Sequence, residues 1–140
     1  MHLLIDGYGC DADQLADAEH VRRFLDEFPD SIAMTKITEP SVLTYDGPVR
    51  EDWGVSGFVI IAESHISVHT FPDRRYVNID VFSCLEFDAE AALASVREWF
   101  AMDTVRHWVL DRGIVHLDPA TAPHAVGAER AALRLGRSRP

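Results

Sequence analysis

The sequence predicts an α+β fold, a two-layer sandwich in which an antiparallel β-sheet carries its helices on one face. Three observations predict it. The middle of the chain is dense in β-branched, aromatic and alternating segments, amphipathic helical stretches lie before and after it, and 140 residues suffice for one core. A single domain over residues 1–140 is expected, with no internal repeat.

The elements follow in order. Leu3-Leu4-Ile5-Asp6-Gly7-Tyr8-Gly9 is a short apolar run closed by glycine, which suits a strand entering a turn. After Asp11 the apolar residues Leu15, Val21, Phe24, Leu25 and Phe28 recur at helical spacing between charged ones, and Pro29 stops the run. Residues 31–38 and Ser41-Val42-Leu43-Thr44-Tyr45 read as extended segments separated by Pro40, followed by a polar, acidic loop from Asp46 to Trp53. Strands are expected over 57–62, 66–69 and 76–82, joined as an antiparallel meander. Asp88 is placed to cap a second helix running to Phe100, and Val105 to Leu110 reads as the last strand. Residues from about 120 to 140, with a basic end from Ala128 to Arg139, are expected to form a frayed helix or a flexible tail.

A sheet with helices on one side leaves its other face uncovered, and these strands are apolar on both faces. Dimerisation through the open face, giving four layers in the order αββα, is therefore expected.

Charge narrows the partners. Thirteen basic against 23 acidic residues give a net charge of −10, which repels nucleic-acid phosphates and anionic membranes. No apolar run approaches the roughly 20 residues that span a bilayer, and the start lacks the pattern of a signal peptide, so a cytoplasmic protein is expected. The two cysteines, Cys10 and Cys84, sit in no metal-binding spacing and are expected as free thiols.

Chemistry-bearing side chains concentrate between Ser56 and Cys84. Ser64, His65, His69 and Cys84 fall within about two adjacent hairpins, and His65 and His69, four apart, share one face of a strand. Each has an ordinary structural reading: a turn hydroxyl for Ser64, a hydrogen-bonding imidazole on a strand, a small buried residue for Cys84. A serine-hydrolase elbow is excluded by the missing glycines around Ser64, and a metal site built from His65, His69 and Cys84 is a weak reading; no metal is expected.

Gly54-Val55-Ser56-Gly57, Ala62-Glu63-Ser64-His65, His69-Thr70-Phe71-Pro72 and Asp80-Val81-Phe82-Ser83-Cys84 closely resemble, in order and spacing, the GVSG, AESH, HTWP and DVFTC strings of the prokaryotic S-adenosylmethionine decarboxylase proenzymes. Tyr8-Gly9-Cys10-Asp11 resembles that family's YGCD segment, so the likeness covers most of residues 1–110.

The resemblance implies self-cleavage at Glu63-Ser64 into a β-chain of 1–63 and an α-chain of 64–140, the new α-chain terminus becoming a covalent pyruvoyl group. It implies that Ser64 attacks the Glu63 carbonyl, that Ser56 and His69 assist, and that a tight turn and oxyanion donors at this bond help. The pyruvoyl ketone condenses with a substrate amine as a Schiff base and takes the electrons released with carbon dioxide, in place of pyridoxal phosphate. Cys84 is then the implied proton donor to the product carbon, with His69 poising the site.

Three departures bear on the substrate. Asp73 stands where the family has glutamate after HTWP, one methylene short for holding ribose hydroxyls, and Phe71 replaces the tryptophan of that string. Trp53 stands near, though not at, the position of a phenylalanine that stacks on adenine. Glu51 and Asp52 put two acids beside that loop, which would suit a guanidinium or ammonium group. S-adenosylmethionine is the first expectation, for spermidine and other polyamine synthesis; arginine or ornithine on the same fold is the alternative, and an unprocessed subunit that regulates an active partner is a third reading.

Overall fold

A computed structural model describes residues 1–111. The tail expected over about 120–140 lies outside the described residues. Six strands form one antiparallel sheet: β1 (His2–Tyr8), β2 (Ser41–Tyr45), β3 (Gly54–Ile61), β4 (Ser64–Phe71), β5 (Tyr76–Ser83) and β6 (Thr104–Leu110), in the spatial order β2-β3-β4-β5-β1-β6. The meander from β3 to β5 is the one expected, and β2 extends it by one strand. β1 then inserts between β5 and β6 and pairs with both along its whole length.

Three helices, α1 (Ala12–Ala16), α2 (Ala18–Ser31) and α3 (Ala89–Trp99), pack on one face. The single helix expected after Asp11 is two. The Asp17 backbone is extended (φ −88°, ψ 105°), and its carboxylate accepts from the Glu19 N–H, so it ends one helix and caps the next. Pro29 does not stop α2, which continues to Ser31: a proline in the final turn removes one ladder donor with little helix left to break. Asp88 caps α3 as expected, accepting from the N–H groups of Glu90 and Ala91.

The extended segment expected over 31–38 is not a strand. Its first residue belongs to α2, and the remainder makes one backbone bridge to the sheet, Lys36 to Ile61. Strands β3 and β4 both begin earlier than expected, at Gly54 and Ser64.

Strand alternation explains the core. Leu3 and Ile5 of β1, Val55, Val59 and Ile61 of β3, Ile66 and Val68 of β4, and Val77, Ile79 and Val81 of β5 are buried beneath Val21, Phe24, Leu25 and Phe28 of α2 and Val96 of α3. Phe24 stacks on Phe28 at 4.8 Å and meets Phe100 edge-on at 5.1 Å. Thr70 is the polar tie in this layer: its hydroxyl donates to the Leu15 carbonyl at 2.7 Å and accepts from the Val55 N–H at 2.8 Å, fixing α1 to β3. Gly54 faces the same strand so closely that a Cβ there would lie 1.8 Å from the Thr70 carbonyl oxygen.

The opposite face is open. Registered across it are Leu43, Ser56, His69, Asn78, Asp6 and Arg106, one from each strand. Phe58, Leu43, Tyr45 and Trp108 on this face are between 41% and 58% exposed, an uncovered apolar surface. No described helix is long and apolar enough to cross a membrane.

Candidate active site

The β3–β4 connection is a two-residue turn, Ala62 and Glu63, closed by the pairing of Ile61 with Ser64. Glu63-Ser64 is therefore the last peptide bond of a tight hairpin. The segment between α2 and β2 clamps this turn. The Ala62 N–H donates to the Thr35 carbonyl at 2.8 Å, and the Thr35 N–H donates to Glu63 Oε2 at 3.1 Å. One residue, 28 positions before Glu63, thus holds both residues of the turn.

On the other side, Ser64 pairs with Ser83, so the residue after β5 is delivered to the turn. The Cys84 N–H donates to the Glu63 carbonyl oxygen at 2.9 Å. A donor already aimed at the carbonyl that Ser64 would attack is what stabilises charge developing on that oxygen. The Cys84 side chain is exposed, unlike the small buried cysteine that a strand end ordinarily suggests, whereas Cys10 is fully buried and its thiol is pushed up to about 11 by burial. The Ser64 hydroxyl lies 3.1 Å from His65 Nδ1, and the His65 ring packs edge-on to Phe82 at 5.6 Å.

His69 and Ser56 form a second group. Their side chains meet at 2.8 Å between Ser56 Oγ and His69 Nδ1, on the open face, where both residues are registered opposite each other. Beside them Asp6 accepts from the Tyr76 hydroxyl at 3.0 Å and from Asn78 Nδ2 at 2.8 Å. Burial and the Asp6 contact push the Tyr76 phenol up to about 12.

These two groups do not converge within one chain. Ser64 and His69 are five residues apart on the same strand, roughly 16 Å at the rise of an extended chain. Cys84 returns to Ser64, while the residue of β5 opposite His69 is Asn78. The spacing of motifs gave order along the chain, and the register of β4 against β5 decides which residues meet.

The expected substrate-binding residues lie at the His69 end. Single 3₁₀ turns at Arg50–Asp52 and Pro72–Arg74 pack against each other. Asp73 faces Arg50 at 3.4 Å, Asp52 holds Arg74 at 2.7 Å, and Arg74 also donates to the Glu51 carbonyl at 3.0 Å. Trp53 is half-buried where β3 begins, and Phe71 stacks on Tyr76 at 5.6 Å. Among the described residues no group of three or more His, Cys, Asp or Glu side chains is arranged to hold a metal. The clamp by Thr35 has no signal in the sequence, because its partners are remote and Thr35 contributes only backbone groups; His65 stands out there beside Ser64 and on the face it shares with His69, with no role in processing attached to it.

Comparison with known proteins agrees with this arrangement of motifs. The family model for S-adenosylmethionine decarboxylase matches residues 1–113. This chain belongs to the S-adenosylmethionine decarboxylase family, whose members are carboxy-lyases. It is 38% identical over 113 residues to the S-adenosylmethionine decarboxylase proenzyme of Archaeoglobus fulgidus, covering 80% of this chain and 96% of that one. It is 34% identical over 126 residues to the proenzyme of Pyrococcus furiosus, covering 89% and 86%. The crystal structure of the adenosylmethionine decarboxylase from Aquifex aeolicus superposes with a TM-score of 0.65 at 32% identity, covering 84% of this chain and 92% of that one. Its fold likeness extends to the antiparallel sheet and helical layer described above.

Proposed function

We propose that this chain is a proenzyme that cleaves itself at Glu63-Ser64 and then, as a homodimer, decarboxylates S-adenosylmethionine with a pyruvoyl group derived from Ser64. One observation carries the reading: the Glu63 carbonyl sits in a two-residue turn with the Cys84 N–H already donating to its oxygen. The bond continues the β4–β5 ladder one rung past the Ser64–Ser83 pair, and so sets a fixed backbone donor on the carbonyl of the turn. The clamp from Thr35 keeps the Glu63 side chain out of the way of its own carbonyl and holds the turn while the hydroxyl of Ser64 approaches.

The residues around Ser64 fit the pyruvoyl group, since the serine that would give rise to it stands at the start of a strand, next to an exposed thiol. When formed, that group supplies an electron sink for loss of carbon dioxide from an amino acid whose amine it holds. Cys84 stands at the same strand end, exposed, to deliver a proton to the product carbon. The 3₁₀ turns and the aromatic pair at the His69 end bind and orient the rest of the substrate.

A homodimer reconciles the two groups. The open sheet face carries exposed apolar side chains around the Ser56–His69 pair, and a two-fold packing of that face would bring one protomer's His69 end toward its partner's Ser64 end. Asp52, one of the two acids that would suit a guanidinium, is already paired with Arg74, which disfavours a site built to take that group and supports S-adenosylmethionine over arginine or ornithine. Intact Glu63 and Ser64 in a poised turn also speak against a silent regulatory subunit.

Carbon dioxide release from carboxyl-labelled S-adenosylmethionine, arginine and ornithine, each supplied alone, tests the reading. Release from S-adenosylmethionine at a rate at least ~100-fold above the other two is expected, since a site complementary to one substrate discriminates at this level. Equal or greater release from either basic amino acid would assign the alternative substrate.

A further inference from the structure

His65 takes no part in the proposed decarboxylation, yet its imidazole is the group against the Ser64 hydroxyl. The separation is 3.1 Å from Ser64 Oγ to His65 Nδ1, within hydrogen-bond reach. The other candidate bases of the same chain are placed elsewhere. The Glu63 carboxylate is held by the Thr35 N–H, and His69 is five residues along β4, where it is bonded to Ser56. His65 is itself fixed: it lies on β4 between Ile60 of β3 and Phe82 of β5, and its ring rests edge-on against Phe82.

We infer that His65 is the proton shuttle of the first step of self-cleavage, a catalytic role distinct from that of His69; the inference rests on the proposed processing at Glu63-Ser64. In the imidazole's neutral form Nδ1 takes the proton of the Ser64 hydroxyl as Oγ bonds to the Glu63 carbonyl carbon. Negative charge collects on the carbonyl oxygen, where the Cys84 N–H donates. The bond from that carbon to the Ser64 nitrogen then breaks, and the imidazolium returns the proton to the leaving amine. An amide has become an ester, with no net gain or loss of protons.

The later steps remove a different proton. Removal of the Ser64 α-proton expels the Glu63 carboxylate from the β-carbon, and water hydrolyses the resulting enamine, through its imine tautomer, to the pyruvoyl ketone and ammonia. Loss of His65 therefore arrests the chain as an amide, whereas loss of a base acting later leaves an ester.

Hydroxylamine separates these states, because it cleaves an ester at Glu63-Ser64 and leaves the amide intact under mild conditions. Wild-type chain, His65→Gln and His65→Ala are refolded from denaturant and followed by denaturing gel and intact mass, with and without hydroxylamine, and with imidazole added to His65→Ala. Processing of His65→Gln is expected to slow at least ~100-fold, the scale of general-base catalysis, with the chain resistant to hydroxylamine. Added imidazole should restore part of the rate in His65→Ala, which a packing role would not allow.

Processing of His65→Gln within a few-fold of wild type, or accumulation of a hydroxylamine-sensitive ester, would overturn the role. So would loss in His65→Ala that imidazole does not relieve, which would make His65 a packing residue on Phe82. A wild-type chain that stays uncut would instead overturn the processing reading itself, so the two failures are distinguishable.

Discussion

The backbone N–H of Cys84 points at the carbonyl oxygen of Glu63 across 2.9 Å, joining the end of β5 to the turn between β3 and β4. Cys84 thus offers two groups to one site, an amide that the side chain does not alter and an exposed thiol. These are separable. Cys84→Ala keeps the amide, so cleavage at Glu63-Ser64 should proceed within a few-fold of the normal rate, while carbon dioxide release from the processed enzyme falls ~100-fold or more. Cys84→Pro removes the donor and should leave the chain uncut while still folding with a cooperative, somewhat lowered melting transition. Intact mass and carbon dioxide release, measured on the same preparations, check both.

The separation of Ser64 from His69 along β4 predicts complementation. Ser64→Ala and His69→Ala chains are each expected to be inactive alone. When co-expressed, a mixed dimer has one site with Ser64 and Cys84 from one chain and His69 from the other. Random pairing then restores about a quarter of the wild-type activity. Activity no higher than that of either variant alone would place all three residues in one protomer's site.

Thr70 ties α1 to β3 through one buried hydroxyl. Thr70→Val keeps the shape and leaves the Val55 N–H and the Leu15 carbonyl without that partner, at a cost of about 1–3 kcal/mol. Urea unfolding of the unprocessed Ser64→Ala background, with and without Thr70→Val, measures it. The neighbouring Gly54→Ala, whose Cβ would meet the Thr70 carbonyl, should lose at least as much.

The two cysteines should differ in reactivity and in their effect on stability. At neutral pH an alkylating reagent should label exposed Cys84 and spare Cys10 until the chain unfolds. Burial raises the Cys10 thiol from 9.0 to about 11, and burial with the Asp6 contact raises the Tyr76 phenol from 10.0 to about 12. Both groups hold their protons more tightly when folded. Their contribution is therefore fully present below pH 9 and is lost as the pH rises through 11 and then 12. Urea midpoints taken from pH 8 to 11 should fall, and Cys10→Ala should flatten the part between 9 and 11.

Much of this fold was legible because its signals are local. The alternation in β4 and β5, the Asp88 cap and the apolar stripe of α2 each depend on residues within a few positions of one another. What escaped depends on remote partners or on small backbone balances. The break at Asp17 is a capping choice inside an otherwise continuous apolar period, and Pro29 is tolerated because little helix follows it. Residues 31–38 have strand-like composition, but Ser31 ends α2, Ala33 and Met34 donate back to its last turn, and Thr35 is spent on the turn at Glu63. The site shows the same division. Linked motifs picked out Ser64, His69 and Cys84, but only the strand register shows that Cys84 meets Glu63 and that His69 lies a strand's length away. No spacing rule could supply that, since register is set by pairing across the sheet.

Self-cleavage and the pyruvoyl group are tested together by the intact mass of the purified, denatured protein, before and after incubation with S-adenosylmethionine and cyanoborohydride. Two chains are predicted, residues 1–63 and 64–140, the second carrying a ketone at its start and gaining the reduced adduct of the decarboxylated substrate. A single uncut chain of 15.7 kDa with no adduct would contradict both.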